Sequence, residues 1–97
     1  MEVEFANPDL EAMEEDGVDG SFSVAVGNGY RKVLNFIRNA SDERDFRTMR
    51  SLNFEKLKGD RAHQHSLRIT KQWRLIIEIK KATPKNVIVL IQIEDYH

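Results

Sequence analysis

The sequence predicts an α+β fold, with helices in its first half and an antiparallel β-meander in its second. Three observations carry this expectation. Val26, Tyr30, Val33, Leu34 and Ile37 recur with the 3.6-residue period of an amphipathic helix, while Arg31, Lys32, Asn35 and Arg38 point away. From Leu52 the period becomes 2: Leu67 and Ile69 alternate with Ser66, Arg68 and Thr70, and Trp73, Leu75, Ile77 and Ile79 alternate with Arg74, Ile76, Glu78 and Lys80. The run from Val87 to Ile93 is apolar on both faces, as in a central strand covered by helices, and its seven residues fall far short of the roughly 20 that a membrane-spanning helix needs.

Taken in order, Val3-Glu4-Phe5-Ala6 alternates as a short strand. Asn7 can cap a helix whose first position is Pro8, where no N–H donor is missed, and Asp9 and Glu11 suit the positive end of the helix dipole. With Leu10 and Met13 on its apolar edge and Gly17 to close it, this helix is expected over residues 8–16. Asp16 to Ser21 is turn chemistry. Ser23 can cap the long helix, which ends at Ala40; Gly27 and Gly29 weaken its first turns by about 1 kcal/mol each relative to Ala. Ser41 before Asp42-Glu43 predicts a further helical stretch, with Phe46 and Met49 toward the core and Arg44, Arg47 and Arg50 on a solvated face. Ala82 to Asn86 makes the turn before the last strand. A length of 97 residues predicts one domain, 1–97, with a single modest core.

Net charge conceals an asymmetry. Residues 1–30 hold eight acids and no Lys or Arg, which leaves all 15 basic residues and eight acids in residues 31–97, a balance of +7. Such a split fits either a nucleic-acid face or two surfaces that attract each other across the fold. The absence of cysteine excludes disulfides, thiolate metal sites and a cysteine nucleophile, and fits a reducing cytoplasm. The start of the chain lacks the basic and apolar segments of a secretory signal, so export by that route is not expected.

Chemistry is best supplied in the second half. Lys56, Lys58, Arg61, Arg68, Lys71 and Arg74 crowd together with only Glu55 and Asp60 as acids among them, and the chain ends on Asp95-Tyr96-His97. Cleaving RNA without a metal requires a base for the 2′-hydroxyl, cations for the phosphorane and an acid for the 5′-oxygen. Glu55 can serve as base, Lys58 and Arg74 as cations and His97 as acid, and Tyr96 can stack on a base. The alternative is an ordinary charged β surface. Metal binding is poorly supported, because His63 and His65 lack a carboxylate at ligand spacing. Gly27-Asn28-Gly29 lacks the remainder of a phosphate loop.

At Phe5-Ala6-Asn7-Pro8-Asp9-Leu10, Asp42-Glu43-Arg44-Asp45, Leu57-Lys58-Gly59-Asp60-Arg61, Ser66-Leu67-Arg68-Ile69, Gln72-Trp73-Arg74-Leu75 and Asp95-Tyr96-His97 the chain resembles the HigB-like branch of the RelE/ParE toxin superfamily. The resemblance implies a compact fold with N-terminal helices packed on a small, mainly antiparallel sheet. It also implies a type II toxin, a metal-independent, ribosome-dependent endoribonuclease that cuts mRNA and needs no cofactor. It implies neutralisation by a HigA-like antitoxin with a helix-turn-helix domain, through which alone operator DNA would be reached, and no membrane association. By position, Lys58, Arg74, Asp95, Tyr96 and His97 match the family motifs; Glu55 stands where some members have His and where another branch has a Glu base. Lys56, Arg61, Arg68, Lys71 and Asp95 are expected along the RNA. The competing expectation is a ParE-like toxin that acts by protein binding, for instance on DNA gyrase, or a decayed toxin, since a shared fold does not fix function.

Overall fold

The computed structural model describes residues 1–96; His97 lies outside them. Five strands, β1 (Val3–Phe5), β2 (Glu55–Lys56), β3 (Gln64–Arg68), β4 (Trp73–Lys80) and β5 (Val87–Asp95), form one sheet in the order β1-β5-β4-β3-β2. Every neighbouring pair is antiparallel except β1 and β5, which run parallel. Helices α1 (Pro8–Glu15) and α2 (Val24–Asn39) connect β1 to the rest and cover one face of this sheet. No helix among the described residues is long and apolar enough to cross a membrane.

The helix starts follow local chemistry. The Asn7 carboxamide accepts from the Asp9 N–H at 2.9 Å and Ser23 Oγ accepts from the Val26 N–H at 3.2 Å, so donors with no partner inside either helix are satisfied. Helix α2 turns Tyr30, Val33, Leu34 and Ile37 onto Leu67, Leu75, Ile77, Ile88 and Leu90 of the sheet, with Leu10 and Met13 of α1 completing the core. Tyr30 is wholly buried and donates its hydroxyl to the Leu10 carbonyl at 2.8 Å; burial, and then the nearby Glu14 carboxylate, pushes this phenol well above its ordinary value. Gly29 seats the helix on the chain just after β3. A Cβ there would stand 2.7 Å from Ile69 Cγ2 and 2.9 Å from the Ile69 carbonyl oxygen, so only glycine allows this approach.

The opposite charges of the two ends meet within the fold. Arg31 pairs with Asp19 at 2.7 Å, Arg38 with Glu14 at 2.6 Å, and Lys80 with Glu4 at 2.9 Å. The acidic first segment is therefore partly compensated by α2 and the far end of β4.

Two local expectations are corrected. The stretch after Ser41 forms two 3₁₀ turns, Glu43–Arg47 and Arg50–Leu52, rather than one helix, and the first is capped by the Asp42 side chain, which accepts from the Arg44 N–H at 2.7 Å. Phe46 and Leu52 are both buried. In a continuous α-helix, residues six apart point in widely different directions at about 100° per residue. The extended backbone at Met49 brings both inward and leaves Met49 itself 42 % exposed instead of in the core.

The second correction concerns β5, whose apolar run is not covered by helices on both faces. The register shifts between Ile76 and Ile77: Ile76 pairs with Gln92 and Ile77 with Leu90, so Ile91 has no counterpart on β4. This bulge breaks the alternation. Ile88 and Leu90 before it and Ile93 after it all meet the helix side, so a one-sided strand reads as two-sided in sequence.

Candidate functional site

The face of the sheet away from the helices is arranged by the alternation of β4. Leu75 and Ile77 enter the core, which puts Arg74 and Ile76 on the opposite side. Sheet pairing then sets Ser66 beside Ile76, Glu55 beside Ser66, and Glu94 beside Arg74. These side chains, with Leu57, Arg61, Asp95 and Tyr96, line a cleft of about 290 Å³.

Arg74 is the unusual group in this cleft. Only 6 % of it is exposed, yet among the described residues its guanidinium has no carboxylate partner. Its Nη1 donates to the Asn53 carbonyl at 3.3 Å, its Nε has no hydrogen-bond partner among the described residues, and its Cζ lies 3.8 Å from the centre of the Tyr96 ring. Asn53 ends the Arg50–Leu52 turn in the left-handed conformation, φ 45°, which aims that carbonyl into the site. Arg68 stands directly opposite Arg74 across β3 and β4 and donates to the Thr70 carbonyl at 3.3 Å. Like charges placed opposite each other repel, and a buried cation without an anion is costly. Among the described residues, the Arg74 guanidinium therefore lacks a compensating anion.

Gln72 holds the end of β5 in place. Its carbonyl accepts from the Tyr96 N–H at 2.5 Å and its side chain donates to Asp95 Oδ2 at 3.1 Å, which fixes the Tyr96 ring over Arg74. The neighbouring Trp73 turns the other way, edge-on to Phe22 at 5.6 Å. Gln72-Trp73-Arg74 is thus one clamp, one packing residue and one buried cation. Sequence reasoning missed the clamp.

The other expected residues divide. Glu55 lines the cleft from the exposed edge strand β2, and Arg61 and Asp95 line it as well. Lys58 is exposed and precedes the Gly59–Arg61 turn, outside the cleft lining; Lys56 pairs with His65 in the ladder and Lys71 lies in the β3–β4 turn, both exposed. Arg61 and Glu94 form a two-bond ion pair at 3.1 and 2.5 Å, and Gln92 also donates to Glu94. The Arg61 guanidinium, followed by Gln92, holds the Glu94 carboxyl below the usual carboxylate range. Glu94 was not anticipated, although its place opposite Arg74 follows once the register is known. The proposed acid His97 lies outside the described residues.

His63 and His65, which a regular strand would place on one face, have different partners. His63 approaches Glu78 at 3.6 Å, whereas His65 stacks on Phe54 with ring centres 4.9 Å apart and planes at 4°. Burial, then Arg47 and Lys56, lowers the His65 pKa. The folded chain thus resists a proton that the unfolded chain takes up near pH 6.5. Stability contributed by neutral His65 is present above that pH and is lost as pH falls through it toward the lower folded value. Thermal melts between pH 8 and 5 should show a steeper decline for the wild type than for His65→Phe; equal slopes would remove His65 as the source.

A family model described as RelE-like toxin of type II toxin-antitoxin system HigB matches residues 4–97. A YoeB/ParE toxin from Agrobacterium tumefaciens has a similar fold at TM-score 0.62 and 21 % identity, covering 100 % of both chains. YafQ from E. coli strain BL21(DE3) is similar at TM-score 0.58 and 13 % identity, covering 97 % of this chain and 91 % of its own. No curated protein matches the sequence. The fold of two helices on one face of a mostly antiparallel five-stranded sheet, and a family match across nearly the whole length, give the same answer: the chain belongs to the HigB-like family of RelE-like type II toxins.

Proposed function

We propose that this toxin is an endoribonuclease that cuts mRNA on the ribosome and so inhibits translation in the cytoplasm. The observation that carries the reading is Arg74: a buried guanidinium with no carboxylate partner among the described residues, held beneath an exposed tyrosine ring in an open cleft. A phosphodiester supplies what this site lacks, an anion with several acceptor oxygens matched to the guanidinium fork. In this mechanism Glu55 takes the proton of the 2′-hydroxyl, which attacks phosphorus. Arg74 holds the non-bridging oxygens as charge builds on the phosphorane, and His97 protonates the departing 5′-oxygen. Tyr96, 48 % exposed, keeps one edge toward solvent and the base. Lys58, exposed beside the cleft residue Leu57, and Lys56, Arg68 and Lys71 draw in the RNA backbone by charge.

Membership in a type II toxin family implies an antitoxin partner. We assign to that role a HigA-like protein with a helix-turn-helix domain, which would also carry any contact with operator DNA. The test is induced expression without antitoxin, with mRNA 5′ ends mapped for the wild type beside Arg74→Ala. New ends inside translated frames, absent in the variant, are the expected result. Growth arrest without new ends would replace this reading by one of protein binding.

A further inference from the structure

Arg74 and Glu94 are directly opposed in the β4–β5 register, on the same face of the sheet. Directly opposed residues in an antiparallel ladder have Cβ atoms about 4.5–5.5 Å apart, within easy reach for an arginine and a glutamate. The ordinary outcome is an ion pair between them. Here the carboxylate instead takes two bonds from Arg61, which arrives from the turn after β2.

We propose that Arg61 is a positioning residue: by engaging Glu94 it keeps that carboxylate off Arg74 and leaves the guanidinium free for the RNA phosphate. This role rests on the reading of Arg74 given above. Arg61 is itself fixed for it. Its Nε donates to Gln64 Oε1 at 3.2 Å, and the Gln64 amide donates in turn to Glu78 at 3.1 Å, so a line of hydrogen bonds runs from Glu78 through Gln64 and Arg61 to Glu94. Gln92 adds a further donor to Glu94. Stability does not explain the placement, because the pair is partly exposed, 44 % for the Arg61 side chain and 28 % for Glu94, and exposed pairs contribute little. Its consequence falls instead on the third charge. Without Arg61, the acid opposite Arg74 would have that guanidinium as its neighbouring cation to bind, and Arg74 would no longer be open to a phosphate.

This gives a non-additive prediction. Arg61→Ala should lower cleavage at least ~10-fold, the order of a charge pair formed where an anion should bind, whereas Arg61→Ala/Glu94→Gln should match Glu94→Gln alone. A readout independent of catalysis is the Arg74 Nε–H resonance during titration with inorganic phosphate. It should move in the wild type and in the double variant, and stay still in Arg61→Ala. Thermal melts of all three variants confirm that each is folded under the assay conditions. If the double variant is as impaired as Arg61→Ala while cleavage still depends on Arg74, Arg61 contacts the RNA itself and the proposal is overturned with the reading of Arg74 intact. Cleavage that survives Arg74→Ala would overturn both.

Discussion

Arg74→Met is expected to abolish growth inhibition and mRNA cleavage while melting at or above the wild-type temperature. The two halves of this result have one cause. Arg74 is 6 % exposed, and among the described residues its guanidinium makes one long hydrogen bond, at 3.3 Å, and one ring contact, with Nε unpartnered. Ring contacts of this kind contribute about 0.5–2 kcal/mol, and a hydrogen bond about 1, whereas withdrawing a guanidinium from water without a counter-ion costs several kcal/mol. Methionine fills the same space beneath Tyr96 without the charge, so folding gains or breaks even. Catalysis loses its main cation. Removing a single donor to developing negative charge slows an enzyme about 10²–10³-fold, and removing a whole guanidinium should do at least as much. Cleavage rates and circular-dichroism melts on one preparation decide the matter. A melting point more than about 5 °C lower, near 1 kcal/mol for a domain of this size, would make Arg74 a structural residue instead.

What the sequence disclosed and what it withheld follows the range of the interactions concerned. Asn7 and Ser23 cap their helices as read, because a cap involves residues two or three apart. The period-2 pattern of β4 correctly separated Arg74 from Leu75, since alternation needs no partner strand. The bulge opposite Ile76 and Ile77 was not legible, for it exists only in the pairing of two strands, and without it Val87 to Ile93 looked two-sided. The 3₁₀ turns after Asp42 were hidden likewise, because burial of both Phe46 and Leu52 overrode the helical signal.

At the candidate site, composition pointed to this part of the chain but not to the pairing within it. A cluster of six cations in sequence becomes, in space, a buried Arg74, an Arg61 committed to Glu94, an Arg68 bound to its own turn and three exposed lysines. Glu94 escaped notice because a lone acid near the end of the chain carries no local signal, and Gln72 because a clamp is visible only when the end of β5 lies beside it.

Phe46→Ala should cause the largest loss of stability, about 3–5 kcal/mol. Phe46 is wholly buried, tilted against Phe36 at 6.2 Å and edge-on to Phe54 at 5.5 Å; Phe54 in turn stacks on His65 and carries the Arg47 guanidinium over its ring at 5.0 Å. This ladder of rings is the main apolar anchor for residues 43–54, whose backbone otherwise consists of two short 3₁₀ turns with few hydrogen bonds of their own. A domain of this length has about 5–15 kcal/mol in total, so the variant would be close to unfolding at 37 °C. Phe46→Leu, which keeps most of the volume, should lose roughly half as much. Urea melts with an unchanged slope and a lower midpoint would show the loss to be one of native packing. The site should suffer before the fold does. The anchored segment carries Asn53, whose carbonyl is the hydrogen-bond acceptor of Arg74, so at temperatures where Phe46→Leu is still folded its cleavage should decline more than its helix content. A loss under about 1 kcal/mol for Phe46→Ala would mean that the segment is held by something other than these rings, and Asn53 could not then owe its position to them.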